Sequence, residues 1–267
     1  METRSVTIGR NSYVIASDDD YVQQLGTRYE PDMARLFECL VHEAWCVADV
    51  GANIGCTSIL FGELAQRVIA FEPSPSTFRF LQTNIERSGL RNIEAHNCGL
   101  GAAPGETNLT FSTNNRAGAF VSGAMKTSSG HVTEPVRIER LDDLVRRLEI
   151  PRLGFIKIDT EGFEKSVIAG ARDVIARDAP LVVLELNHWC LNVFQRTSVP
   201  DFLDYLRSVF PVLYAVEEAR YLDLHDEAES YIVMYHHVNH GKYRNLLAAC
   251  RDTGLEAFRA SFAHSSG

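Results

Sequence analysis

The segment VADVGANIGCTSIL, at residues 47–60, constrains the fold more than any other part of the chain. A short apolar stretch leads to Asp49, and two glycines follow at Gly51 and Gly55. Glycine reaches positive φ and leaves room where a Cβ would clash, so this spacing predicts a tight turn from a strand into a helix. In open α/β sheets such turns lie at the carboxyl ends of the strands, where ligands bind.

Apolar strands alternate with amphipathic helices along most of the chain. The predicted strands are 46–50, 67–72, 93–98, 154–159, 181–186 and 211–216. The predicted helices include 31–44, 55–65, 200–209 and one that is capped by Ser74 and ends at Gly89. Near-continuous apolar strands of this kind are typical of a mostly parallel sheet with helices on both faces, so the predicted fold class is α/β.

Three regions depart from this alternation. Residues 108–140 are predicted to be an insert with strands around a loop of small residues, and we expect 112–131 to be mobile and to face the substrate. Residues 229–237 predict a last, antiparallel strand, and 242–260 predict a helical tail. The predicted organisation is N-terminal strands and a helix over 1–45, a ligand-binding domain over 46–240 and a helical tail over 241–267.

Charge and composition exclude several classes of function. The 267 residues include 26 basic and 35 acidic side chains, and a net charge of −9 argues against nucleic acid or an anionic membrane as the partner. Six cysteines without paired spacing indicate reduced thiols rather than disulfides or metal ligands. Because no apolar run approaches membrane-spanning length and the first residues lack a signal-peptide core, we expect a cytoplasmic protein without a membrane span. A homodimer is a possible assembly.

The side chains around the glycine turn favour a cationic ligand over a dinucleotide. Asn53 occupies the position of the central glycine in the dinucleotide motif G-x-G-x-x-G, and Asp49 would repel a pyrophosphate while suiting an amine or a sulfonium. Glu72 follows Gly51 at the distance of an acid that binds the two hydroxyls of a ribose. The alternatives are a turn without a ligand, and a Glu72 that only complements the dipole of the next helix.

Polar residues at the ends of two later strands are the candidate catalytic groups. Asp159 ends one buried strand, and His188 follows the neighbouring strand with Glu185. We expect His188 to act as a general base and Asp159 to orient it or the substrate, with Glu161 as the reserve base. Helix capping and the helix dipole are the structural alternatives for Asp159 and Glu161. Few acids lie near this pair in sequence, so no metal is predicted.

Four segments resemble the FkbM family of S-adenosylmethionine-dependent methyltransferases. They are YEP (29–31), DVGANIGCTSIL (49–60), FEPSPSTFRFLQTNI (71–85) and FIKIDTEGFEKSVIAGA (155–171). The resemblance implies a Rossmann-like class I fold with a seven-stranded sheet, in which 46–240 is the methyltransferase domain. It also implies methyl transfer, commonly to a hydroxyl of a sugar, glycan or polyketide-type small molecule.

The resemblance also implies roles for individual residues. Asp49, Gly51, Asn53 and Gly55 would line the methionine part of the cofactor. Glu72 would hold its ribose, followed by Pro73 and Ser74, while Asn97 and Cys98 would position its adenine and Glu30 would reach its amine. The alternatives that remain are an N-methyltransferase, an NAD-dependent Rossmann oxidoreductase and a non-catalytic protein that binds the cofactor.

Overall fold

A nine-stranded sheet forms the centre of the computed structural model, which describes residues 1–112, 115–121 and 130–265. The strands of this sheet are β3 (Cys46–Val50), β4 (Arg67–Phe71), β5 (Ile93–His96), β10 (Leu153–Ile158), β11 (Leu181–Glu185), β12 (Val212–Glu217), β13 (Arg220–Asp223), β14 (Asn245–Ala249) and β15 (Ala263–His264). Their order across the sheet is β15-β13-β12-β14-β11-β10-β3-β4-β5. The pairs from β11 to β5 are parallel, whereas β14 is antiparallel to β11 and β12.

Helices cover both faces of this sheet, because its strands bury side chains in both directions. The helices are α1 (Tyr21–Gln24), α2 (Pro31–Leu40), α3 (Cys56–Leu64), α4 (Pro75–Ser88), α5 (Leu141–Arg147), α6 (Glu164–Ala169), α7 (Arg172–Asp178), α8 (His188–Gln195), α9 (Val199–Val209), α10 (Glu227–His240) and α11 (Glu256–Ser261). One core contains residues of α2, α3 and α11, and the other contains residues of α5, α6, α7 and α9. The predicted α/β class is confirmed, with nine strands in the described residues instead of seven.

The N-terminal residues form a hairpin that packs on the first of these cores. Its strands, β1 (Glu2–Ile8) and β2 (Asn11–Ser17), pair with each other and bury Val6, Ile8 and Ile15 against α2 and α3. The hairpin is also tied to α4, because Asn84 exchanges two hydrogen bonds with the backbone of Ala16.

The predicted insert, 108–140, belongs to a second, smaller sheet that begins earlier in the chain, at Gly99. Its strands are β6 (Gly99–Leu100), β7 (Gly105–Ser112), β8 (Asn115–Val121) and β9 (His131–Glu139), in the order β6-β9-β7-β8. The expectation of a mobile loop over 112–131 is wrong for 115–121, because these residues form β8 and pair with β7. The expected mobile loop otherwise falls mainly on 122–129, which lie outside the described residues.

Two sequence predictions near the C-terminus are wrong in secondary structure. Residues 229–237 belong to α10, which is capped by Asp226 and buries Ser230, Val233 and His237 at helical spacing. The last antiparallel strand is instead β14, which occupies part of the predicted helical tail. Tyr, Ile and Val favour strands and Leu and Ala favour helices, but the packing of both segments on neighbouring elements overrides these preferences.

No helix in the described part of the chain is both long enough and apolar enough to cross a membrane.

Phe155 provides a test of the packing beneath the sheet. Its fully buried ring makes edge contacts with Phe37 and Phe61, at centroid distances of 5.8 and 5.5 Å. We expect Phe155→Ala to lower the free energy of unfolding by about 3–5 kcal/mol, because it leaves a cavity among these rings. Guanidinium denaturation would measure the loss. The matched control is Val14→Ala, at an exposed position, which should change stability by about 0.5 kcal/mol or less. Equal stability of the two variants would contradict the described core.

Candidate functional site

The glycine turn joins β3 to α3 and lies against the end of β10. Gly51 and Gly55 have φ values of 78° and 97°, and Asn53 also has a positive φ of 50°. A Cβ on Gly51 would lie 1.8 Å from the carbonyl oxygen of Asp159. The backbone of a neighbouring strand therefore requires the first glycine, before any ligand is considered.

Lys157 is the central cation of the site, and sequence analysis missed it. Its Nζ donates a 3.0 Å hydrogen bond to the carbonyl oxygen of Gly51 and lies 3.5 Å from Asp49 Oδ1 and 3.3 Å from Asp159 Oδ2. Burial opposes the charge, but the two carboxylates raise the pKa of Lys157 above that of an ordinary lysine. The signal in the sequence is one lysine within the apolar stretch GFIKI.

Asp49 lies behind the turn rather than on the surface of a cavity. Its fully buried carboxylate accepts a 2.6 Å hydrogen bond from Ser58 Oγ and pairs with Lys157. Burial raises the pKa of Asp49, and Lys157 offsets part of this shift. The structure thus gives Asp49 a supporting position, because it holds the lysine that binds the turn.

Glu72 faces the same turn from the end of β4. Its Oε2 accepts a 2.9 Å hydrogen bond from the backbone N–H of Asn53, and its Oε1 accepts one of equal length from the N–H of Ser74. Burial raises the pKa of Glu72 to about 7, although these two hydrogen bonds favour the ionised form. Each oxygen receives one of these bonds, so the carboxylate retains acceptor capacity for a diol.

A cavity of about 240 Å³ connects these groups with the insert sheet. The predicted site residues that line it are Glu30, Gly51, Asn53, Gly55, Glu72, Pro73, Asp159 and Glu161. The insert contributes apolar side chains on the opposite side, namely Leu109, Ala119, Val121 and Ile138. The cavity thus has a polar wall at the strand ends and an apolar wall from the insert.

Three other predicted cofactor residues support the wall without being among the described residues that line the cavity. Asn97 Nδ2 donates hydrogen bonds to the carbonyl oxygens of Glu72 and Pro73, at 2.9 and 3.0 Å. Ser74 Oγ caps α4 and donates a 2.6 Å hydrogen bond to Glu134 of β9, so it ties the insert to the loop after β4. Cys98 is fully buried.

Three carboxyl groups meet at the ends of β10 and β11. Oxygen atoms of Asp159, Glu161 and Glu185 lie within 4.8 Å of one another. Burial, and then the charge of Asp159, raises the pKa of Glu161 to about 7 and raises that of Glu185 more strongly. Carboxylate oxygens so arranged could hold a hard divalent cation. The absence of a metal, which the sequence favours, stays a prediction.

Glu161 is held in place by the start of α8. Its backbone has a positive φ of 51°, and its Oε2 accepts hydrogen bonds from Asn187 Nδ2 at 2.9 Å and from Cys190 Sγ at 3.1 Å. The oxygen of the Asn187 amide accepts the N–H of Cys190 as the helix cap, so its nitrogen is free to point at Glu161. Sequence analysis missed Asn187, although it stands beside His188 in LELNH.

His188 does not join this carboxyl cluster. It is not among the described residues that line the cavity, and its Nδ1 lies 3.2 Å from Nε2 of His237 on α10. His237 Nδ1 lies 2.7 Å from the carbonyl oxygen of Lys242, so this nitrogen carries the proton and Nε2 accepts from His188. No hydrogen bond or ion pair joins His188 to Asp159 in the described residues, so the structure does not support the prediction that Asp159 orients the imidazole. The alternative, that Asp159 orients the substrate, stays a prediction.

The chain is similar in sequence to known methyltransferases. Residues 49–221 match the family described as "Methyltransferase FkbM domain". Hexuronic acid methyltransferase AglP of Haloferax volcanii is 30% identical over 165 residues, which are 60% of this chain and 63% of that protein. The 31-O-demethyl-FK506 methyltransferase FkbM of Streptomyces tacrolimicus is 28% identical over 159 residues, 48% of this chain and 59% of that protein. The matched regions thus span about three-fifths of the length of these relatives.

Solved structures show a more distant likeness. Methyltransferase FkbM from Methylobacillus flagellatus KT is 20% identical with a TM-score of 0.45, over 63% of this chain and 38% of that chain. An O-methyltransferase from Bacillus cereus in complex with SAH is 15% identical with a TM-score of 0.46, over 83% of this chain and 82% of that chain.

The ion pairs of Lys157 can be tested by a double-mutant cycle. Lys157→Met leaves the buried Asp49 without its cation, so we expect the free energy of unfolding to fall by about 3–5 kcal/mol. In Asp49→Asn/Lys157→Met the uncompensated charge is gone, and we expect a smaller loss than in Lys157→Met alone. Urea denaturation of the wild type, both single variants and the double variant would measure these differences. A Lys157→Met variant as stable as the wild type would count against the buried pair.

Proposed function

Because the chain belongs to the FkbM methyltransferase family, we propose that it is an S-adenosylmethionine-dependent enzyme that methylates a hydroxyl of a sugar, glycan or polyketide-type small molecule. The observation that carries this proposal is one cavity lined both by the Glu72 carboxylate, which retains acceptor capacity, and by a separate carboxyl cluster that includes Glu161. The names of two relatives, which refer to hexuronic acid and to 31-O-demethyl-FK506, support a hydroxylated acceptor.

The residues on the cavity wall fit this cofactor. The free acceptor capacity of Glu72 suits the two ribose hydroxyls, and the positive-φ backbone at Gly51 and Asn53 lets the turn approach the ligand closely. Glu30 lies on the same wall and provides a carboxylate for the amine. In this proposal Asp49 acts indirectly, because its partner Lys157 fixes the carbonyl of Gly51.

When bound, S-adenosylmethionine supplies a methyl group whose carbon bonds to the acceptor oxygen while the C–S bond breaks and its electron pair returns to sulfur. The protein must then hold the acceptor in line and take the proton from its hydroxyl. We assign this proton to Glu161, from which it returns to solvent. The hydrogen bonds from Asn187 and Cys190 both go to Oε2, so Oε1 is the oxygen that receives the proton.

The other carboxyl groups of the cluster suit different tasks. Asp159 is already paired with Lys157, and its carbonyl oxygen lies against Gly51. Glu185 has the more strongly raised pKa, so it keeps its proton at neutral pH and can donate a hydrogen bond to the acceptor. Glu161 has a pKa close to the operating pH, which is the condition for an efficient general base.

Cofactor binding gives the first test of this proposal. We expect calorimetry to detect binding of S-adenosylhomocysteine and no comparable binding of NAD. Glu72→Ala should weaken the binding of S-adenosylhomocysteine by about tenfold to a hundredfold, because about 1–3 kcal/mol is lost when buried hydrogen-bond partners are unpaired. Ionised Glu72 accepts the ribose hydroxyls and its pKa is about 7, so affinity should be full above pH 7 and fall below it. Binding of NAD without S-adenosylhomocysteine would overturn the proposal.

The pH dependence of turnover tests the general base. A base must be ionised to take a proton, so turnover should be high above pH 7 and fall as the pH drops through the pKa of Glu161, about 7. We expect Glu161→Gln to lower turnover by about 10²–10⁴-fold with little change in S-adenosylhomocysteine affinity. The acceptor panel for this assay consists of sugars and glycosides with labelled cofactor. Full turnover of Glu161→Gln would rule this residue out.

Asn187 allows the orientation of Glu161 to be tested separately. Both Asn187→Ala and Asn187→Ser remove the N–H donor that favours ionised Glu161, so the midpoint of the pH profile should move to higher pH. Serine can still cap α8, whereas alanine cannot, so the serine variant is the matched control for helix stability. A shift in the alanine variant alone would mean that the cap, and not the bond to Glu161, matters.

A further inference from the structure

A second cavity, of about 270 Å³, lies beside the first at the same edge of the sheet. The residues that line both cavities are Tyr29, Glu30, Thr57, Lys157, Asp159 and Glu185. The second cavity extends from this shared wall towards Met33 of α2 and the beginning of β14. It therefore opens next to two of the three clustered carboxyl groups, on the side away from Glu72.

Arg244 lines this second cavity and has little to neutralise it. Its backbone is fixed to the end of β11, because its carbonyl oxygen accepts a 2.7 Å hydrogen bond from Leu186. The exposed guanidinium donates only one hydrogen bond, from Nε to the carbonyl oxygen of Gly241 at 3.2 Å, and no carboxylate lies within ion-pair distance of it in the part of the chain that the structure describes. The planar guanidinium thus keeps donors available for a bidentate anion.

The next residue adds a neutral polar group to the same wall. Asn245 lines the second cavity at the start of β14, and its side-chain amide has no hydrogen-bond partner among residues 1–112, 115–121 and 130–265. An amide can both donate to and accept from a hydroxyl. Arg244 and Asn245 together therefore offer one site for an anion and one for a hydroxyl at the entrance of the cavity.

The acids of the shared wall do not prevent an anion from binding near Arg244. Asp159 is neutralised by Lys157 at 3.3 Å, and Glu30 is the residue assigned above to the amine of the cofactor. Glu185 keeps its proton at neutral pH because burial and its acidic neighbours outweigh the charge of Arg244, which favours the ionised form. The charge of Arg244 thus remains available, although a doubly charged group such as a phosphate would still meet more repulsion than a single carboxylate.

We propose that the second cavity binds the methyl acceptor, and that Arg244 pairs with a carboxylate on it, so that the acceptor is a hydroxylated acid of the uronic acid type. This inference rests on the methyltransferase function proposed above. The hydroxyl to be methylated would enter the first cavity beside Asp159 and Glu185, where both cavities meet. The carboxylate at Arg244 would fix the orientation of the sugar ring.

Two glycosides that differ only in the carboxylate test the proposal. Calorimetry would compare p-nitrophenyl β-D-glucuronide with p-nitrophenyl β-D-glucoside, each added to protein saturated with S-adenosylhomocysteine. We expect the glucuronide to bind at least about tenfold more tightly, which is the effect of one charge-assisted hydrogen-bonded pair. Equal affinity for the two glycosides, or no binding of either, would overturn the inference. If glucose 6-phosphate bound more tightly than the glucuronide, the group that pairs with Arg244 would be a phosphate and not a carboxylate, and this would also overturn the inference.

Variants of Arg244 link this preference to the residue. Arg244→Gln keeps most of the side-chain length without the charge, and we expect it to abolish the preference for the glucuronide, whereas Arg244→Lys should retain part of it. The affinity for S-adenosylhomocysteine should be unchanged in both variants. A tenfold loss of that affinity in Arg244→Gln would instead assign the arginine to the carboxylate of the cofactor. Failure of the wild type to bind S-adenosylhomocysteine would contradict the proposed function itself.

Discussion

The site depends on one buried ammonium group. Lys157 Nζ binds the carbonyl of Gly51 and pairs with Asp49 and Asp159, so it connects the glycine turn to the ends of two adjacent strands. Asp49 is buried and Asp159 lies half-exposed beside the same ammonium group, so the two carboxylates would repel each other without this cation. The lysine thus allows an acidic region to exist at the sheet edge, and it places the backbone of the turn at the same time.

The close approach of strands β3 and β10 has a second effect on the site. Since a Cβ at Gly51 would lie 1.8 Å from the Asp159 carbonyl oxygen, no other residue fits at position 51 unless the segment after β10 shifts. Glu161 follows in this segment with positive φ, and Asn187 and Cys190 hold its carboxylate from α8. The groups assigned to the cofactor and to the proton are therefore positioned by contacts between the segments that follow four adjacent strands, β4, β3, β10 and β11.

Local chemistry determined which parts of the structure could be predicted from the sequence. The start of α4 was predictable because Ser74 bonds the N–H of Thr77, three residues away, and β3 matches its predicted bounds. α10 and β14 were not, because neighbouring elements decide whether such short apolar runs form a helix or a strand. The roles of Lys157 and Asn187 depend on contacts with residues distant in sequence, and so does the position of His188, whose ring lies against His237 of α10.

The position of β14 affects the order in which the molecule can be completed during synthesis. This strand lies between β11 and β12, so β12 and β13 reach the central sheet only through residues that are translated later. A ribosome-bound chain that has emerged as far as α10 can assemble the parallel strands, but the free edge of β11 stays exposed. The half of the sheet edge that carries Glu185 and Arg244 can therefore acquire its final shape only after β14 has been synthesised, whereas the half that carries Glu72 has no such requirement.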